Sequence, residues 1–178
     1  MPQDVLPFVA SYWAVPTNLL AGAFPNDHFE DESTQILERM LDLGIRHIIN
    51  LTDSDESNCR GDYFPDMTRL AAQRKIEVVF RQFPIPDRCV PSVEHMQMIL
   101  DDIDDALLSQ RPVYVHCWGG RGRTGTVVGC FLARNGVAMG DDCLKMMADL
   151  RRDASNGHRE SPETEEQREF VRQWKQGQ

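Results

Sequence analysis

Ten residues in the second half of the chain, His116 to Gly125, read HCWGGRGRTG and set one thiol, two arginines and four glycines between two apolar runs. The preceding run, Val113 to Val115, predicts a short buried strand, and TVVGCFLAR after the loop predicts a buried helix. A glycine-rich turn joining a buried strand to a buried helix restricts the chain to the α/β class. Where such a loop enters its helix, unpaired backbone N–H groups and the positive end of the helix dipole converge. An oxyanion suits that position, and electropositive settings of this kind favour the thiolate form of a cysteine. Arg123 follows Cys117 by six positions, so a curled loop brings its guanidinium fork to phosphate oxygens beside the sulfur.

The spacing of Cys117, five residues, Arg123 and then Thr124-Gly125, with His116 in front, resembles the active-site loop of the cysteine-dependent protein tyrosine and dual-specificity phosphatases. The resemblance implies a single α/β domain over residues 1–178, in three layers, with a mainly parallel central sheet of about 4–5 strands. It implies metal-independent hydrolysis of a phosphomonoester through a phosphocysteine, with no cofactor, by a protein tyrosine or dual-specificity phosphatase or, as the alternative, a phosphoinositide or inositol phosphate phosphatase of the same fold. Cys117 would attack phosphorus, Arg123 would bind the equatorial oxygens, and Thr124 would assist departure of the thiolate. His116 would hold the loop by hydrogen bonding rather than shuttle protons. Trp118, Gly119, Gly120, Arg121 and Gly122 would wrap the phosphate. Arg121 is similar to the extra basic residue of lipid phosphatases, whereas Trp118 stands where those enzymes carry a second one; Trp118 either stacks on a substrate ring or packs.

Gly120, Gly122 and Gly125 also satisfy GxGxxG, with Asp141 and Asp142 about twenty residues further on, which keeps a dinucleotide-binding loop as an alternative. That alternative gives no reason for Cys117 or for two arginines inside the loop. A nucleotide-binding loop of the Gly-Lys-Ser/Thr kind is excluded, because that tripeptide does not follow. An inert thiol in a glycine-rich turn, or a non-catalytic phosphate-binding module, would make Cys117, Arg123 and an acid together superfluous.

Cleavage of an alkyl or aryl phosphate needs a proton for the departing oxygen. Asp87 lies about thirty residues before Cys117, in the proline-framed segment FPIPDRCVPS after an apparent strand Ile76 to Phe83. The family's mobile acid loop occupies a comparable place, which makes Asp87 the expected acid, with Arg88 beside it as an attracting charge. Asp53 and Asp55 in NLTDSDES are rivals only by loop position and are expected to form a turn. SPETEEQREFVRQW predicts a helix with Ser161 as N-cap, Pro162 at its first position and Phe170, Val171 and Trp174 inward. This segment is similar to the family's water-positioning glutamine motif, with Gln167 in register, but Glu163 replaces the usual first glutamine. Cys89, two positions from Asp87, is placed to form a protective disulfide with Cys117 if the acid loop closes.

The remaining chain is consistent with one enzyme domain. Its 178 residues are 41% hydrophobic, enough for a sizeable core. The net charge of −9 lacks any basic tract and disfavours nucleic acid, leaving a phosphorylated protein or a small phosphorylated molecule as the expected partner. No run of eighteen apolar residues predicts a membrane span, the start lacks a secretion signal, and five cysteines without metal-like spacing argue for a reducing, cytoplasmic setting. In VEHMQMILDDIDDALLSQ, Val93, Met96, Leu100, Ile103 and Leu107 predict an amphipathic helix whose aspartates face solvent rather than a metal. Extended pieces around Pro16, a helix STQILERMLDL ended by Gly44, a strand HIINL and a helix FPDMTRLAAQRK complete the expected order.

Overall fold

The computed structural model describes residues 5–25, 30–53, 56 and 62–178. Its strands are β1 (Ser11–Val15), β2 (Leu19–Gly22), β3 (His47–Asn50), β4 (Val79–Gln82) and β5 (Val113–His116). Its helices are α1 (Glu30–Asp42), α2 (Phe64–Gln73), α3 (Val93–Leu108), α4 (Arg123–Arg134), α5 (Gly140–Leu150) and α6 (Glu165–Gln173). The five strands form one sheet in the order β1-β2-β5-β3-β4. Only β1 runs antiparallel to its neighbour; β2, β5, β3 and β4 are parallel. The expected mainly parallel α/β layer fold is therefore what the chain adopts.

Alternation along the strands sorts the core into two layers. Leu19, Ala21, Ile49, Val113 and Val115 face one side, where α3, α4, α5 and α6 supply Ile99, Val128, Met147 and Val171. Leu20, Ile48 and Tyr114 face the other, against Leu37 and Met40 of α1 and Met67 and Leu70 of α2. β5 lies between two parallel neighbours, in register Gly22 with His116 on one side and Asn50 with His116 on the other. The carboxyl end of this central strand is where open parallel sheets bind ligands.

Four local expectations are corrected by the fold. β4 covers Val79 to Gln82 rather than Ile76 to Phe83, because it is an edge strand that pairs only with β3, beginning where His47 meets Val79. Val93 is 40% exposed, since the buried face of α3 is set by Met96, Ile99, Leu100, Ile103 and Ala106. The aspartates of α3 are not uniformly solvated: Asp102 bonds the buried His47 at 2.6 Å and Arg81 at 3.2 Å. The last helix is capped by Thr164, not Ser161. Thr164 and Gln167 form a reciprocal capping box, which satisfies two otherwise orphaned N–H groups, whereas the Ser161 hydroxyl donates to the Arg121 carbonyl.

Candidate active site

β5 ends at His116 and α4 starts at Arg123, so the intervening loop must reverse direction within residues 117–122. Gly120 makes that reversal at φ +67°, and a Cβ there would lie 2.3 Å from the carbonyl carbon of Gly22. Only glycine lets the loop press against the end of β2. The backbone N–H groups of Gly119 to Arg123 have no acceptor among the described residues, and the first helical bond runs from Thr126 N–H to the Gly122 carbonyl at 2.9 Å. A ring of amides at a helix N-terminus thus surrounds Cys117, which is 3% exposed.

Cys117 opens on a cavity of about 240 Å³ walled by Trp118, Gly119, Arg121, Gly122 and Arg123. Asp87 closes it from the β4–α3 loop; Asn156, Arg159 and Glu163 close it from the α5–α6 connection. Gly120 stands behind this wall against β2, and Arg88, expected beside the acid, is exposed and not part of the lining. The sequence reading missed Asn156 and Arg159. Their positions depend on where the α5–α6 connection folds back, which no local pattern encodes.

Arg123 is only 2% exposed and nearly saturated with partners. Its Nη1 donates to Glu56 Oε2 at 2.5 Å and to the Ile85 carbonyl at 3.1 Å; its Nη2 donates to Glu56 Oε1 at 2.7 Å and lies 3.1 Å from Asp87 Oδ1. Burial alone would lower its pKa, but the Glu56 hydrogen bonds, with the charges of Cys117, Glu56 and Asp87, outweigh that and raise it. The guanidinium is therefore a fixed cation held by a bidentate carboxylate fork. Glu56 was not singled out from the sequence, although it shares the NLTDSDES segment with the two aspartates considered there. Asp53 does make the expected turn, accepting from the Glu56 N–H at 2.9 Å, and thereby sets Glu56 in place; Asp55 lies outside the described residues. The available signal was an acidic loop following β3, the strand beside β5.

His116 is fully buried on the opposite face of the sheet from the cavity-side core. Its Nε2 meets the Tyr63 hydroxyl at 2.6 Å and its Nδ1 meets the Cys117 carbonyl at 3.2 Å. Burial first, and the Arg123 charge as well, push its pKa down to about 3 against the backbone bond to Cys117. Burial likewise pushes Tyr63 well above its usual range, so the phenol keeps its proton. A neutral imidazole next to a protonated phenol has one consistent arrangement: Tyr63 O–H donates to Nε2, and Nδ1–H donates to the Cys117 carbonyl. Tyr114 stacks on the same ring at 5.4 Å and 17°. The sequence reading did not connect Tyr63 to this histidine.

Arg121 pairs with Glu163 at 2.8 Å, so the carboxylate that replaces the family's glutamine neutralises the extra basic residue of the loop. Gln167 is buried, not a surface residue. Its Oε1 accepts from the Glu163 and Thr164 N–H groups, each at 3.1 Å, and its Nε2 donates to the Cys89 carbonyl at 3.1 Å, tying α6 to the acid loop. Cys89 itself is a free, exposed thiol outside the cavity lining. The buried Thr124 hydroxyl donates to the Gly22 carbonyl at 3.5 Å. Trp118 lines the cavity and lies 6.2 Å from the Phe24 ring. Asp141 and Asp142 stand in the first turn of α5, paired with Arg172 and Lys145 rather than ending a second strand, which removes the dinucleotide alternative.

Residues 10–173 match the family model described as the Swiss Army Knife protein, DSP-PTPase phosphatase domain. The chain belongs to this family. Among individual relatives, an uncharacterized protein of Methanocaldococcus jannaschii is 36% identical over 91 residues, 51% of this chain and 56% of its own length. Protein tyrosine phosphatase domain-containing protein 1 of Mus musculus is 33% identical over 141 residues, 73% of this chain but 18% of its own. A phosphatidylinositol 3,4,5-trisphosphate 3-phosphatase and protein-tyrosine-phosphatase of Arabidopsis thaliana, PTEN1, is 30% identical over 52% of this chain and 22% of its own. The chain thus spans about half or less of these curated relatives. The fold of this DSP-PTPase domain is shared by kinase associated phosphatase at TM-score 0.70 and 20% identity, covering 94% of this chain and 93% of that one. PTPMT1 in complex with PI(5)P superposes at TM-score 0.69 with 17% identity, covering 93% and 94%. Among the described residues, no helix is long and apolar enough to cross a membrane.

Proposed function

We propose that this DSP-PTPase domain hydrolyses phosphomonoesters in two steps through a phosphocysteine at Cys117. The observation that carries the reading is the convergence of Cys117, the loop residues Gly119, Arg121 and Gly122, the fixed Arg123 cation and Asp87 on one cavity. The substrate phosphate takes the amide ring and Arg123, displacing Asp87 from Nη2. The Cys117 thiolate attacks phosphorus in line, the bond to the leaving oxygen breaks, and Asp87 gives that oxygen its proton. Water then attacks phosphorus, Asp87 accepts the proton, and the thiolate departs with Thr124 beside the loop. Amides and guanidinium stabilise the equatorial charge in both steps. Gln167, buried and outside the cavity lining, acts by tying α6 to the acid loop.

The test uses p-nitrophenyl phosphate and an alkyl phosphate, with chelator present. Cys117→Ser is expected to bind both without turnover. Asp87→Ala is expected to slow the alkyl ester by about 10² to 10⁴ and the nitrophenyl ester far less, because nitrophenolate hardly needs a proton. Wild-type turnover by Cys117→Ser, or equal slowing of both esters in Asp87→Ala, would refute the scheme.

A further inference from the structure

Of the cations around the cavity, two are already committed: Arg123 to Glu56 and Asp87, Arg121 to Glu163. Arg159, an exposed residue, lines the same cavity at its rim and has no ion pair among the described residues. The backbone that carries it is firmly held. Arg151 is 1% exposed and lies 5.8 Å from the centre of the Tyr12 ring. From that buried position its Nη1 donates to the Arg159 carbonyl at 3.0 Å and its Nη2 to Asn156 Oδ1 at 2.7 Å. Asn156 Nδ2 in turn donates to the Gly119 carbonyl at 2.9 Å, clamping the α5–α6 connection to the phosphate loop. One amide N–H of Asn156 is left without a protein partner among the described residues.

We propose that Arg159, with the remaining Asn156 N–H, forms a second anion subsite, and that the substrate is a compact polyol bearing a second phosphate next to the one hydrolysed. This rests on the phosphatase reading above and adds the substrate class. The charge pattern decides where the second anion goes. The extra basic residue of the loop, Arg121, is cancelled by Glu163, so an additional phosphate finds its unpaired cation on the Arg159 side instead. The dimensions select the scaffold. A space of about 240 Å³ must take both anions, and phosphates on neighbouring carbons of one ring stay together. Neighbouring residues of an extended peptide point to opposite faces, and alternate ones lie about 6 to 7 Å apart along the chain. The protein's net charge of −9 further repels a long acidic peptide, whereas a small dianion pair inside the cavity sees mainly local cations.

The probes are an inositol 4,5-bisphosphate, an inositol monophosphate, the dioctanoyl lipid carrying the same bisphosphate headgroup, and a peptide with two adjacent phosphorylated residues. The bisphosphate is expected to exceed the monophosphate about tenfold in kcat/KM, chiefly through KM. In Arg159→Ala that preference should fall to near unity; Arg159→Lys should retain most of it, and added salt should weaken it. Equal rates on soluble and lipid bisphosphate would identify the headgroup alone as the ligand, and a lipid preference would identify the membrane-borne source; both support the subsite. Binding of the same probes to Cys117→Ser keeps the two readings apart. Loss of all turnover with an intact Arg159-dependent binding preference would sink the phosphatase reading and leave the subsite standing. An unchanged bisphosphate preference in Arg159→Ala, in both turnover and binding, or an Arg159-dependent preference for the peptide, would overturn the proposal.

Discussion

Replacing His116 by glutamine should flatten the acid limb of the protein's stability curve. The folded chain holds this imidazole neutral, with a pKa near 3, because it is buried. An unfolded chain protonates it at about 6.5. Between these values the unfolded state binds a proton that the folded state refuses, so stability falls as pH drops through that window. A pH unit is worth at most about 1.4 kcal/mol, and only once the unfolded imidazole is fully protonated, giving roughly 2 kcal/mol between pH 6.5 and 4.5, a sizeable part of a typical 5 to 15 kcal/mol. Carboxylates titrate in the same range, so the informative quantity is the difference in slope between wild type and His116→Gln, whose amide cannot take up the proton. Urea unfolding at half-unit intervals from pH 7 to 4.5 should show the variant's slope smaller by an amount that grows from a small value at pH 7 to about 1.4 kcal/mol per unit below pH 5.5. The folded imidazole, followed by NMR, should not titrate above pH 4.5. Titration near 6.5 in the folded protein, or identical slopes, would refute the assignment of a neutral His116 donating to the Cys117 carbonyl and accepting from Tyr63.

Two further outcomes test the scaffold of the site. Glu56→Gln retains the shape of the fork that holds Arg123 but removes its charge, and kcat on p-nitrophenyl phosphate should drop about ten- to a hundredfold with a small change in Tm; unchanged kcat would show that Arg123 needs no such fork. Gly120→Ala combines a strained φ of +67° with a Cβ 2.3 Å from the Gly22 carbonyl carbon and should cost about 3 kcal/mol or more in urea unfolding, where an unaltered midpoint would mean that the loop does not press on β2.

The chemistry of the phosphate loop was legible because all its parts lie within ten consecutive residues and depend on local rules: strand, glycine turn, helix N-terminus. The same locality made α1, β3, α3 and the parallel sheet readable from periodicity, whereas Asp87, about thirty residues before the loop, meets Cys117 and Arg123 at one cavity only through the fold. Where a second rule competed, the local one lost. Ser161 met every N-cap criterion, yet its hydroxyl serves the Arg121 carbonyl and Thr164 caps the helix with Gln167. Val93 fitted the apolar stripe but sits where α3 begins, exposed beyond the layer it would have packed in.

What the sequence by itself determined was the family's loop between a buried strand and a buried helix, since amides, thiol and guanidinium are neighbours along the chain. Tertiary structure alone decided which charges are satisfied. Glu56 reaches Arg123 across 67 positions, Tyr63 reaches His116 across 53, and Glu163 cancels Arg121 while Arg159 has no ion pair among the described residues. Charge pairing depends on distance through space and on burial, and a buried cation strongly favours a nearby carboxylate whatever their separation in sequence. The loop is therefore read from adjacent residues, and the charges around it are set by the fold.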